Sequence, residues 1–170
     1  ALLALGAQAL AATFTVRAPE LAGGTVPIAL TCDGAKKVPM LTWSGAPEGS
    51  KSYAVTVYDP DAPTQSGFWH WAIADIPATV TELPEGAGDD TGSGLPEGTL
   101  QLRTDAGTTR FIGAAPPAGH GEHRYFFVIH ALDVEKIGVP EDATPAFLNF
   151  NFLSHILGRA ILTVTAQITG

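Results

Sequence analysis

Residues 53–63 read Tyr53-Ala54-Val55-Thr56-Val57-Tyr58-Asp59-Pro60-Asp61-Ala62-Pro63. The alternation up to Tyr58 predicts a β-strand with Tyr53, Val55 and Val57 on one face and Ala54, Thr56 and Tyr58 on the other. The turn that follows is stiff. Pro60 and Pro63 fix φ and have no N–H to give, so the chain must leave the sheet abruptly. X-Pro bonds in tight turns are where cis peptides occur, and Ala62–Pro63 is a candidate. The same grammar of short strand and stiff turn recurs through the chain, which carries 19 Gly and 13 Pro among 170 residues.

Outward from this segment, further strands are expected at Thr13–Arg17, Val26–Thr31, Met40–Ser44, Trp69–Ile76, Arg124–Leu132 and Arg159–Ile168. Simple alternation in the run Trp69–Ile76 puts His70, Ala72 and Ala74 on one face, opposite Trp71 and Ile73. Arg124–Leu132 is nearly all apolar, so both its faces should be covered. One helix is expected late in the chain. Thr144 suits the N-cap and Pro145 the first helical position; Phe147, Phe150, Ser154 and Leu157 follow helical spacing, and Gly158 suits a left-handed stop. The polar, Gly-rich run 85–98 reads as a surface loop. The expected fold class is mainly β: a two-sheet β-sandwich with a C-terminal helix and few short helices, formed by a single domain over 13–170.

Composition narrows the function. The chain is 45% hydrophobic and 15% charged, which provides a core and argues against disorder. Nine basic residues against seventeen acidic ones leave a net charge of -8, the wrong sign for nucleic-acid backbones and for an anionic membrane surface. Cys32 is the only cysteine, so neither an intrachain disulfide nor a cysteine zinc knuckle is available, and a buried inert thiol is expected. Residues 1–12 are apolar, uncharged and too short to span a bilayer, so stable membrane insertion of the domain is not expected. They resemble a signal-peptide remnant, which implies a periplasmic or secreted protein. The alternative is an N-terminal helix or strand of a cytoplasmic one.

Three segments bear chemistry. Asp59 and Asp61 lie in the turn after the strand. His70 stands between Trp69 and Trp71. The segment 113–125 spaces glycines and prolines through Gly113-Ala114-Ala115-Pro116-Pro117-Ala118-Gly119-His120-Gly121-Glu122-His123-Arg124-Tyr125. Such a loop brings backbone N–H groups close to a ligand, and His123 lies where it enters a strand. His120 reads as a solvent-facing loop residue, and His130 and His155 read as structural.

The strings DPDAPT, SGFWHW and GAAPPAGHGEHRY, in this order, resemble the phosphatidylethanolamine-binding protein family, and most of all its bacterial, Raf kinase inhibitor-like branch. The resemblance runs from about Phe14 to Ile168. It implies a small anion pocket at one end of the sandwich. Asp59, His70, His123 and Tyr125 would meet a phosphate or phospholipid headgroup, Asp61 would fall on a pocket position, and Ala115, Pro116 and Gly121 would form the loop wall. Departures include Lys37-Val38-Pro39 where Asn-x-Ser-Pro is usual, Asp105-Ala106-Gly107 where Asp-Phe-Gly is common, and Ala114 where Pro is frequent. These bear on ligand selectivity more than on the fold.

Neighbouring carboxylates favour imidazolium while burial opposes it, and a protonated pair of rings would suit a dianion. The expected function is a non-catalytic binding or regulatory protein that needs no cofactor and no metal. The alternatives are an inhibitor or adaptor that meets a protein partner through surface loops, and a metal-dependent hydrolase built from Asp59, Asp61, His70 and His123. The hydrolase reading lacks a nucleophile in a suitable turn.

Overall fold

The computed structural model describes residues 13–169. The apolar stretch 1–12, with the signal-peptide expectation attached to it, lies outside them. Eight strands form two antiparallel sheets. Strands β1 (Thr15–Arg17), β2 (Leu41–Ser44) and β5 (Glu82–Leu83) make a small sheet in the order β1-β2-β5. Strands β3 (Ser52–Asp59), β4 (Phe68–Pro77), β6 (Leu100–Gln101), β7 (His123–Leu132) and β8 (Ile156–Ala166) make the large one, in the order β6-β4-β3-β7-β8.

The large sheet is covered on both faces. On one face Tyr53, Val55 and Val57 of β3 join Trp71, Ile73, Phe127 and Ile129, and pack against Val16, Leu41, Trp43 and Leu83 of the small sheet. On the other, Ala54, Ala72, Ala74 and Leu132 receive Leu148 and Phe152 of helix α1 (Pro145–Phe152). The three alanines are small because a helix lies on them; close approach needs short side chains.

Helix α1 begins as the sequence requires. Thr144 accepts the Phe147 N–H at 3.1 Å, and Pro145 occupies the first turn. It ends earlier than Gly158. The chain tightens into a 3-10 turn at Leu153–His155 and then enters β8, where Gly158 is a strand residue. A Cβ there would lie 2.8 Å from the Pro47 ring, so close packing rather than a helix stop calls for glycine. The buried face of α1 is Pro145, Leu148 and Phe152, while Phe147 and Phe150 face solvent.

Val26–Thr31 is not a strand. Pro27 has no N–H for a ladder, and a 3-10 turn at Ile28–Leu30 replaces it, with single bridges at Thr25 and Thr31. Among the described residues no peptide bond is cis, so Ala62–Pro63 is trans. The turn closes by other means: Asp59 Oδ1 accepts the Asp61 N–H at 2.8 Å, and the Ala62 carbonyl accepts the Thr64 N–H at 2.7 Å.

Candidate functional site

Strand pairing carries three distant pieces of chain to one end of the large sheet. Asp59 is the last residue of β3, His123 is the first of β7, and β7 pairs directly with β3. Both side chains are buried, each only 2% exposed. Asp59 Oδ2 accepts the Nδ1–H of His123 at 2.8 Å, which makes a buried carboxylate–imidazole pair. Its other oxygen holds the turn, so the carboxylate has two donors.

His70 arrives by a bulge. Val57 pairs with Trp71 and Tyr58 with Trp69, so one residue of β4 has no partner on β3, and that residue is His70. Such an insertion swings the extra side chain out of strict alternation. Trp69 stacks on Tyr58, with ring centroids 4.4 Å apart, while His70 turns to meet Tyr125 at 5.2 Å and Phe68 at 4.9 Å. His70 therefore does not share the helix-covered face with Ala72 and Ala74. Its placement comes from register, not from small neighbours.

The His70 ring has a defined tautomer. Nδ1 lies 3.0 Å from the Ile112 carbonyl, which can only accept, so Nδ1 carries the hydrogen. In the neutral ring Nε2 is then a lone-pair acceptor. Burial pushes the His70 pKa below its ordinary value, against the pull of the Ile112 carbonyl and the Asp59 charge. For this ring desolvation outweighs the neighbouring carboxylate, and the neutral form is favoured.

These residues line one open cleft of about 410 Å³. Asp59, His70, Ala115 and His123 form part of its wall, so the two imidazoles share a single cavity. The rest is mostly apolar: Ala62, Pro63, Thr64, Phe68, Ala106, Ile112 and Pro117. Ala106 is held there because Asp105 accepts the Trp69 N–H at 2.8 Å, tying the loop to β4. The small methyl leaves room that a larger side chain would occupy.

The other expected positions lie outside this wall. Asp61 turns away and takes Arg124 in a two-point pair, Nε to Oδ2 and Nη2 to Oδ1, each 2.9 Å, and also accepts the Arg124 backbone N–H. Arg124 holds the Asp61 carboxyl down at about 2. Asp61 thus clamps the turn to the start of β7, and the four-residue metal set imagined for a hydrolase is not assembled. Among the described residues no group of three or more His, Cys, Asp and Glu side chains has a metal-holding arrangement.

Tyr125 backs the His70 ring. Its hydroxyl is buried without a hydrogen-bond partner, and burial, joined by the Asp59 charge, raises its pKa. Pro116 is buried and is not part of the wall, where Pro117 stands instead. Gly121 has φ +99° and marks the bend by which the loop reaches His123. Cys32 is half-buried rather than fully buried as expected; it donates to the Gly113 carbonyl at 3.0 Å, and its partial burial raises its pKa, so the thiol form is favoured.

His120 is exposed, as a loop residue should be, yet its Nδ1 lies 2.7 Å from His123 Nε2. The Gly119-His120-Gly121 spacing, three residues before His123, was the one signal for it in the sequence.

The chain is similar to known proteins in sequence and in fold. The family model for phosphatidylethanolamine-binding protein matches residues 18–167. The chain is 48% identical over 137 residues to the UPF0098 protein YbcL of Escherichia coli (strain K12), covering 81% of this chain and 75% of that one. It is 49% identical over 131 residues to YbhB of the same strain, covering 77% and 82%. The crystal structure of E. coli YbcL, described as a new member of the mammalian PEBP family, matches with a TM-score of 0.88 at 43% identity, over 93% of this chain and 100% of that one. A PEBP homologue from Chlamydia trachomatis, CT736, matches with a TM-score of 0.77 at 27% identity, over 89% and 95%.

Proposed function

This chain belongs to the phosphatidylethanolamine-binding protein family, and we propose that it is a non-catalytic binding protein whose cleft takes a small phosphate-bearing anion. The ligand chemistry is that of a phosphate monoester or a phospholipid headgroup. The observation that carries this reading is the buried Asp59–His123 pair in an apolar-walled cleft, with the acceptor nitrogen of His70 in the same wall. Asp59 holds the Nδ1–H of His123, so Nε2 is the atom left to face a ligand, and as an imidazolium the ring donates from it. His70 offers the opposite polarity. One donor and one acceptor suit the P–O⁻ and P–OH of a partly protonated phosphate, and the apolar wall strengthens both bonds by excluding water. Nothing in the wall resembles an activated nucleophile: Thr64, its one hydroxyl, donates to the Gly67 carbonyl.

Calorimetric titration with phosphorylethanolamine tests this. One equivalent should bind, and His123→Ala should weaken it by about tenfold or more, the value of a charge-assisted bond. Equal affinity in the variant, or tight binding of ethanolamine alone, would remove the basis for an anion site.

A second reading, an adaptor for a protein partner, draws on a different observation. Phe147, Phe150 and Leu153 are exposed at 47%, 73% and 60% along and just beyond α1, an apolar stripe that solvent alone does not favour.

A further inference from the structure

We infer that His120 is a cap on the anion site, and that an anion reaches His123 only by displacing it; this rests on reading the cleft as an anion site. Each imidazole has two ring nitrogens. Those of His123 are both taken, Nδ1 by Asp59 at 2.8 Å and Nε2 by His120 Nδ1 at 2.7 Å. The only N–H of neutral His70 goes to the Ile112 carbonyl. In this arrangement neither wall imidazole has a free N–H to turn toward an anion. Parting the two rings exposes His123 Nε2, which as part of an imidazolium donates to an anion while the buried Asp59 carboxylate braces the opposite side of the ring.

The local chain is built for that parting. His120 is exposed, and its ring meets His123 edge-on with centroids 4.9 Å apart, with no other side-chain hydrogen bond among the described residues. Gly119 and Gly121 flank it at φ +73° and +99°, with open space where a Cβ would stand. The backbone on the approach is tied down, Gly119 N–H to the Ile168 carbonyl at 3.1 Å and His120 N–H to the Pro117 carbonyl at 3.0 Å. The ring can therefore swing without moving the loop.

A bonded N···N pair holds a single hydrogen between its rings; with His123 as the imidazolium that hydrogen is its own Nε2–H, the one an anion would take over from His120. The charged and titratable groups around it are Asp59 on β3, Asp61 in the following turn with its partner Arg124 on β7, His70 on β4, and Glu122 in the loop. Asp59 and Asp61 are already engaged, by His123 and Arg124. On β8 the residue opposite His123 is Ala166, which has no charge.

The test measures binding of inorganic phosphate by the wild type, His120→Ala and His120→Asn at pH 6. His120→Ala should bind about fivefold more tightly than wild type, the value of one net hydrogen bond. His120→Asn keeps a neutral acceptor at this position and should stay near wild type. Equal or weaker binding by His120→Ala overturns the cap and leaves the anion site standing. Absence of phosphate binding by all three proteins overturns both.

Discussion

His130 is a buried imidazole with a different fate from those in the cleft. Its Nδ1 accepts Arg159 Nε–H at 3.1 Å, and its Nε2–H donates to Thr56 at 2.8 Å, which locks the neutral ring between three strands. Burial, with Arg159 adding to it, pushes its pKa down to about 3 from 6.5. The unfolded chain therefore binds a proton that the folded chain refuses. Stability should be full above pH 6.5 and fall as the pH drops from there toward about 3, by up to about 1.4 kcal/mol per pH unit for this ring. Urea unfolding at pH 7.5, 5.5 and 4.5 reads this, and His130→Asn should flatten the slope; an unchanged slope would mean that other groups carry it. A structural role for His130 was already readable from its place in an apolar strand. The role of His120 was not, because exposure and partnership are independent, and only coordinates reveal that an outward loop residue reaches back to a buried ring. The Asp61–Arg124 pair was hidden for a related reason: the two residues are distant in sequence and adjacent in space.

Among elements, β3 and α1 mark how far local pattern reaches. The alternation of β3 held on both faces, since packing on each side enforced it. In β4 alternation failed at His70, because a bulge is a mismatch between two strands and neither strand alone encodes it. The two-residue strands β5 and β6 were too short to show a period. The start of α1 was readable from the Thr144-Pro145 cap, which is local chemistry. Its end was not, because β8 claims the chain from Ile156 to pair with Leu132 of β7, and sheet formation overrides the helical spacing. Thr144→Ala removes the acceptor for the Phe147 N–H, and should lower folding stability by about 1 kcal/mol without altering ligand affinity. Chemical denaturation and phosphate titration on the same variant separate the two; an affinity loss would show that α1 bears on the cleft.

For the molecule as a whole, antiparallel pairing turns sequence distance into proximity. Asp59 and His123 are 64 residues apart, and the register of β3 on β7 closes that gap to a hydrogen bond. The sandwich class followed from alternation and turn chemistry, which are properties of the whole chain and survive local errors. The cleft needed more, since its shape depends on one bulge, one surface clamp and one small residue, Ala106. With a net charge of -8, the protein can draw in an anion only through short-range donors, so the account stands on where a bound phosphate lies. A crystal grown or soaked with phosphorylethanolamine measures this directly. The account predicts phosphate density within hydrogen-bonding distance of His123 Nε2 and His70 Nε2, with the His120 ring swung away. Phosphate bound elsewhere on the surface, or an intact His120–His123 contact beneath a phosphate seated in the cleft, would contradict it.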